Sequence, residues 1–312
     1  MRALLDRLQK DAQPREIHDG NTSPDAFVMM VALQVIATQF AATSISERHV
    51  GAAALGIGTH WVGFAISTLL GTAKWFDLIE ETSIFLMLGW SFQQIKSSSE
   101  IEDGAPTERQ RAVYLCAFVW CARLLVFVVY RVVVRGSDWR FDKLSRGTFS
   151  TRNHGYHLFG WTSGGTWCWV NFFCLWQIAD GDKGGALDAI DALGLAVFLS
   201  GFLLEIVADI QKYSHNAKHA SGKSPTWIDS GAWSVSRHPN YVGEVVLWAG
   251  LSIVCANGCI TTKDALLCFV SPVWSFFFLF FTSLMLLEKR ADAKWGGNKA
   301  YEAYKARTPV FL

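Results

Sequence analysis

Several ingredients are scarce in this chain. Only 7 of its 312 residues are proline, and charged side chains make up 18%. Its seven cysteines, Cys116, Cys121, Cys168, Cys174, Cys255, Cys259 and Cys268, show none of the Cys/His pairings of a zinc site. Most lie within apolar segments and read as buried thiols, although Cys255 and Cys259 stand four apart on one helix face. No metal is implied. Residues 1–25 lack the apolar core and small-residue cleavage site of a secretory signal peptide. No internal repeat is evident, which argues against a transporter built from two halves. The net charge of +1 excludes little; the placement of the charges says more.

What the chain does have is apolar bulk. It is 51% hydrophobic, with 14 Trp and 22 Phe, and the apolar residues gather in blocks rather than short periodic stretches. Those blocks approach the ~20 residues that cross a hydrocarbon core. Eight spans are expected, at about 26–46, 51–71, 75–95, 110–134, 159–179, 186–208, 240–257 and 264–288. The fold class is therefore an all-α, polytopic membrane bundle of about eight transmembrane helices. A polar tail (1–25), N-terminal spans (26–95), a polar acidic linker (96–108) and a C-terminal membrane domain (109–312) divide the chain.

Basic residues orient the bundle. They crowd the segments 131–152, 210–238 and 289–307, with two spans between each pair, so all three share a side. The positive-inside rule makes that side cytoplasmic, and an even count puts Arg2, Arg7, Lys10 and Arg15 there too. The alternate loops, Asp180-Gly-Asp-Lys-Gly-Gly and Ala256-Asn-Gly-Cys, are short and not basic.

Polar residues inside such a chain are expensive and usually face a cavity, a partner or a ligand. Glu205 and Asp209 share a helix face with Lys212 beside them, either as ligands for hydroxyl and amide groups or as an ion-pair network at a helix end. Ser236-Arg237-His238-Pro239-Asn240-Tyr241 reads as loop running into helix, since proline suits a first helical turn. Backbone N–H groups and Arg237 there form an anion site, and Glu244 lies one turn on. The tail, Glu288-Lys289-Arg290 through Tyr301, Tyr304 and Arg307, is either a strip that covers an adenine and a phosphate or an amphipathic surface helix. Arg123 lies well inside an apolar stretch and needs a partner, for which Asp77, Glu80 and Glu81 are available; Arg140 suits a phosphate.

The run Glu205…Asp209-Ile-Gln211-Lys212…Trp233-Ser-Val-Ser236-Arg237-His238-Pro239-Asn240-Tyr241-Val-Gly243-Glu244…Trp248 resembles the steroid 5-alpha-reductase-like membrane family. Trp120…Arg123-Leu124…Arg131…Gly136-Ser-Asp138-Trp-Arg140-Phe141 and the ending Tyr301-Glu-Ala-Tyr304-Lys305-Ala-Arg307-Thr308-Pro309 resemble its largely uncharacterised branch, over about 75–312. The resemblance implies a helical membrane reductase that binds NADPH on the cytoplasmic side. Asp209, Arg237, His238, Asn240, Tyr241, Glu244, Tyr304 and Arg307 would be cofactor ligands, with Arg140 a further phosphate ligand. Hydride would pass to an activated carbon–carbon double bond of a hydrophobic small molecule dissolved in the bilayer. Glu80 and Glu81 are candidates, by position alone, to polarise its carbonyl. The expected location is the endoplasmic reticulum membrane, or the plasma membrane of a bacterial source, without nucleic-acid partners.

The same Arg-His-Pro, Tyr and Gly also resemble the isoprenylcysteine carboxyl methyltransferases, which bind S-adenosylmethionine. Against that stand Asn240 with Glu244 and the Asp209-x-Gln211 signature. A third reading is a lipid-binding membrane protein that keeps the site without turnover.

Overall fold

The computed structural model describes residues 24–45, 47–98, 105–135, 154–220 and 227–311. Its described elements are helical throughout. In chain order they are α1 (Pro24–Ile45), α2 (Glu47–Leu70), α3 (Phe76–Ser98), α4 (Glu108–Arg135), α5 (His154–Asn171), α6 (Phe173–Asp180) and α7 (Ala189–Ala220). A short 3-10 turn (Gly231–Ser234) leads to α8 (Pro239–Gly258), α9 (Thr262–Leu267) and α10 (Val270–Phe278). A π-helical stretch (Leu279–Leu284) joins α10 to α11 (Met285–Trp295), and α12 (Lys299–Arg307) ends the chain.

Every expected span falls on helix. Five described segments are long and apolar enough to cross a bilayer: His49–Leu70, Glu108–Val133, Ala189–Lys218, Pro239–Gly258 and Thr262–Trp295. The protein is thus an all-α polytopic membrane protein. Three of the eight expected spans, 26–46, 75–95 and 159–179, are not among the five; in the first, the apolar stretch Met29–Thr43 is shorter. Asp77, Glu80 and Glu81 lower the hydropathy of α3, while Asn171 and Phe172 interrupt the rod formed by α5 and α6.

The described residues fall into two compact units, one from Met1–Gly89 with Cys121–Cys168 and one from Trp90–Trp120 with Trp169–Leu312. The first contains α1 against α2 and an aromatic cluster of Phe76, Trp161 and Ala73. In it the buried His157 hydrogen-bonds with Ser67, Thr68 and Trp161: Nε2 accepts from the Trp161 indole and Nδ1 donates to Thr68. Asp77 pairs with Arg131, so this carboxylate, a candidate partner for Arg123, is used one helical stretch further on; Arg123 lies over the Phe127 ring.

The second unit is organised by α7 and α8, which run antiparallel in backbone contact. Gly201 faces Gly243, and Gly194 faces Gly250. A Cβ on Gly201 would stand 2.4 Å from the Leu247 nitrogen, and one on Gly250 would stand 2.3 Å from that of Phe198. In lipid, where apolar side chains gain little by leaving the solvent, such close small-residue packing holds helices together. It also puts Glu205 and Asp209 beside the first turns of α8.

The two ends of this unit differ in charge. At one, Arg109 donates to Asp182 at 2.7 Å and to Asp191 at 2.8 and 2.9 Å, with all three side chains almost fully buried. Asn257 donates to Asp188 and Asp191, and the Lys183 amide bonds the Gly258 carbonyl. The starts of α4 and α7, the end of α8 and the 181–188 loop therefore meet at one end. At the other end, among the described residues of this unit, the basic segment before α8 meets α11 and the chain's last residues.

Candidate functional site

At the basic end of the second unit, α8 starts with Pro239 at its first position, after a non-helical His238 (φ −139°, ψ 60°). The loop before it is held by the chain's last residues. The Arg237 amide donates to the Pro309 carbonyl at 2.9 Å, Ser236 Oγ to Val310, Thr308 Oγ1 to Ser234, and the Tyr304 hydroxyl to Trp233 at 2.9 Å. The Trp233 indole is anchored in turn on the Ala208 carbonyl of α7. Gly231, at φ +63°, makes the turn in front of Gln211, whose Oε1 accepts from the Ala232 amide.

On that frame the polar side chains converge. Glu288 of α11 holds two of them: Oε1 accepts from His238 Nε2 at 2.8 Å and Oε2 from Arg237 Nη2 at 3.0 Å. The His238 ring stacks on Tyr241 with centroids 5.6 Å apart. Asn240 Nδ2 donates to Asp209 at 3.3 Å. One turn into α8, Glu244 accepts from the buried Ser275 Oγ at 3.3 Å, and across the glycine contact Trp120 Nε1 donates to Glu205 at 2.9 Å.

These pairings leave a remainder. Arg237 Nε and Nη1, His238 Nδ1 and Asn240 Oδ1 are buried with no hydrogen-bond partner among the described residues. Buried polar atoms are nearly always paired, so four orphans on three neighbouring residues call for a ligand. Two are cationic N–H donors suited to an anionic oxygen, and Asn240 Oδ1 is an acceptor. His238 Nδ1 is an acceptor too when Nε2 carries the ring proton and donates it to Glu288. Burial keeps His238 neutral by holding its imidazole below the ordinary value, against the opposing pull of Glu288. A group carrying both anionic oxygens and hydroxyl or amide donors matches this set of atoms.

Other expected residues are placed differently. Tyr304 is 4% exposed, its hydroxyl spent on Trp233, and burial lifts its phenol to about 12. Tyr301 is buried too, against Trp227 and Trp295. The tyrosine strip of the tail thus packs inward. Arg307 is open, paired with Asp229 at 3.1 Å and lying over the Tyr304 ring. Glu80 and the buried Glu81 belong to the first unit, where the Glu80 carbonyl meets the Cys168 thiol. Arg140 lies outside the described residues. Glu288 was not singled out as a ligand by its pattern in sequence. In sequence it stood only at the head of the tail Glu288…Tyr301…Tyr304, with no partner indicated.

No curated protein and no solved structure matches the chain. A family model does, over residues 63–308, and it spans most of the second unit and all of the site. The chain therefore belongs to the family described as protein of unknown function DUF1295.

Proposed function

We propose that this protein is an NADPH-dependent membrane reductase that saturates an activated carbon–carbon double bond of a lipid-like substrate, a steroid, sterol or other enone. The observation that carries the reading is the Arg237–His238–Asn240 cluster, with its buried donors and acceptors left over beside Glu288. The family's relation to steroid 5-alpha-reductase-like membrane proteins supports it.

NADPH, when bound, supplies the hydride; the protein supplies orientation and charge. Arg237 Nε and Nη1 take phosphate oxygens. Asn240 Oδ1 and His238 Nδ1 accept from hydroxyl or amide groups, with Asp209 and Glu288 fixing how each ring or amide is turned. Tyr241 keeps the imidazole plane in place. Glu244, steadied by Ser275, takes the carboxamide end. Tyr304 acts by anchoring the loop that carries Arg237, and Arg307 and Arg140 add positive charge for phosphate. The site opens to the cytoplasm, in the endoplasmic reticulum or in a bacterial plasma membrane.

The test is ligand binding by the purified, detergent-solubilised protein. NADPH should raise its thermal midpoint, and Arg237→Ala should weaken that binding about 10- to 100-fold, as expected for losing charge-assisted hydrogen bonds. Stabilisation by S-adenosylmethionine and not by NADPH would make it a methyltransferase. Stabilisation by neither, with no turnover, would leave a lipid-binding protein.

A further inference from the structure

The thiols at the other end of the second unit are arranged for a different purpose. Cys259 caps α8, its amide donating to the Cys255 and Ala256 carbonyls. Cys268 caps α9, its amide donating to Asp264. Thr261 starts α9 by accepting from the Asp264 amide, and Ser252 Oγ donates to the Cys268 carbonyl at 2.8 Å. Both ends of the short loop are therefore pinned, and they bring the two sulfurs to 3.7 Å, in van der Waals contact. The pairing partner of Cys259 is thus Cys268 and not Cys255, its neighbour one turn back on α8.

Location decides what such a contact becomes. The Lys183 amide donates to the Gly258 carbonyl, immediately before Cys259, so the pair lies at the end held by Arg109, Asp182 and Asp191. That is the end opposite the basic segments. With the basic segments cytoplasmic, it faces an oxidising space in either membrane: the reticulum lumen, or the exterior side of a bacterial membrane.

We propose that Cys259 and Cys268 are joined by a disulfide in the mature protein, made by a thiol–disulfide oxidoreductase of that compartment. Cys259, at the rim and 9% exposed, attacks the oxidoreductase disulfide as a thiolate and releases one of its sulfurs. Cys268, also deprotonated, displaces the second sulfur from the mixed disulfide. One S–S bond forms as another breaks: the pair loses two electrons and two protons, and the oxidoreductase leaves as its dithiol. The bridge closes the turn between α8 and the last apolar rod. It owes nothing to the chemistry at the opposite end.

To test this, membranes containing the full chain are dissolved in SDS with N-ethylmaleimide present, then digested without reduction for peptide mass spectrometry. The expected result is a cross-linked Cys259–Cys268 peptide, with neither residue alkylated until a reductant is added. In Cys259→Ser, Cys268 should be alkylated at once and the other five cysteines unchanged. Maleimide on both Cys259 and Cys268 in the unreduced wild type would overturn the proposal. So would a Cys268 that stays blocked in Cys259→Ser, or a peptide linking Cys259 to Cys255.

Discussion

His238 shows how one buried side chain ties stability to pH. Burial is the larger influence on its imidazole and lowers its affinity for a proton, while the Glu288 carboxylate works the other way. The unfolded chain takes up a proton near a pH of about 6.5, and the folded imidazole does so only below that. Between the two the unfolded state binds more protons, so stability falls as pH drops through the ordinary histidine value. The fall ends once the folded ring is protonated as well. A His238→Gln variant should lack this segment of the curve; thermal midpoints of both proteins between pH 8 and about 5 will show it. Parallel curves would mean that folding leaves the proton affinity of the imidazole unchanged.

Among the elements, the α7–α8 contact carries the site, because the carboxylates of one helix reach the amide of the other only when the backbones touch. A Cβ on Gly243 would stand 2.7 Å from both the Glu205 nitrogen and the Gly201 carbonyl, atoms that cannot rotate away. Gly243→Ala should therefore separate the helices and cost about 1–3 kcal/mol, read as a lower thermal midpoint in detergent. It should also lengthen the Asn240–Asp209 bond and weaken NADPH binding, although residue 243 donates no group to the site. Gly58→Ala is the control, since nothing lies within 4 Å of its added Cβ.

For the whole molecule, the positive-inside rule would orient the second unit by its two differently charged ends. Arg109 is 1% exposed and compensates two equally buried carboxylates. Arg109→Met should cost about 3–5 kcal/mol, because it leaves Asp182 and Asp191 buried without a cation. The loss should appear as precipitation or a much lower midpoint, and Arg109→Lys should recover part of it. Orientation can be tested separately. In a background without native cysteines, a thiol at Lys183 should react with an impermeant maleimide from the non-cytoplasmic side, and one at Lys299 only after the membrane is opened. Labelling of both from one side would remove the alternation of spans, and with it the oxidising location of Cys259 and Cys268.

Helix content and membrane residence were legible in the chain itself, because apolar blocks near bilayer thickness can satisfy their backbone only as helices. The stretch 236–244 also pointed to residues that the fold brings together, since Arg237, His238 and Asn240 meet Glu288 and Asp209 at a loop-to-helix junction. Distances along the chain could not show what only packing decides. Glu288, some fifty residues from Arg237, occupies one edge of that guanidinium because α11 returns beside α8. Tyr301 and Tyr304 look like an open strip in sequence, yet they turn inward because Trp227, Trp233 and Trp295 offer more apolar area than solvent does. Cys259 likewise finds Cys268 rather than Cys255, four residues away on its own helix, because α9 folds back over the end of α8. Local pattern determines which segments are helices and where charge is placed; contacts between segments remote in sequence determine which polar atoms are satisfied and which are left for a ligand.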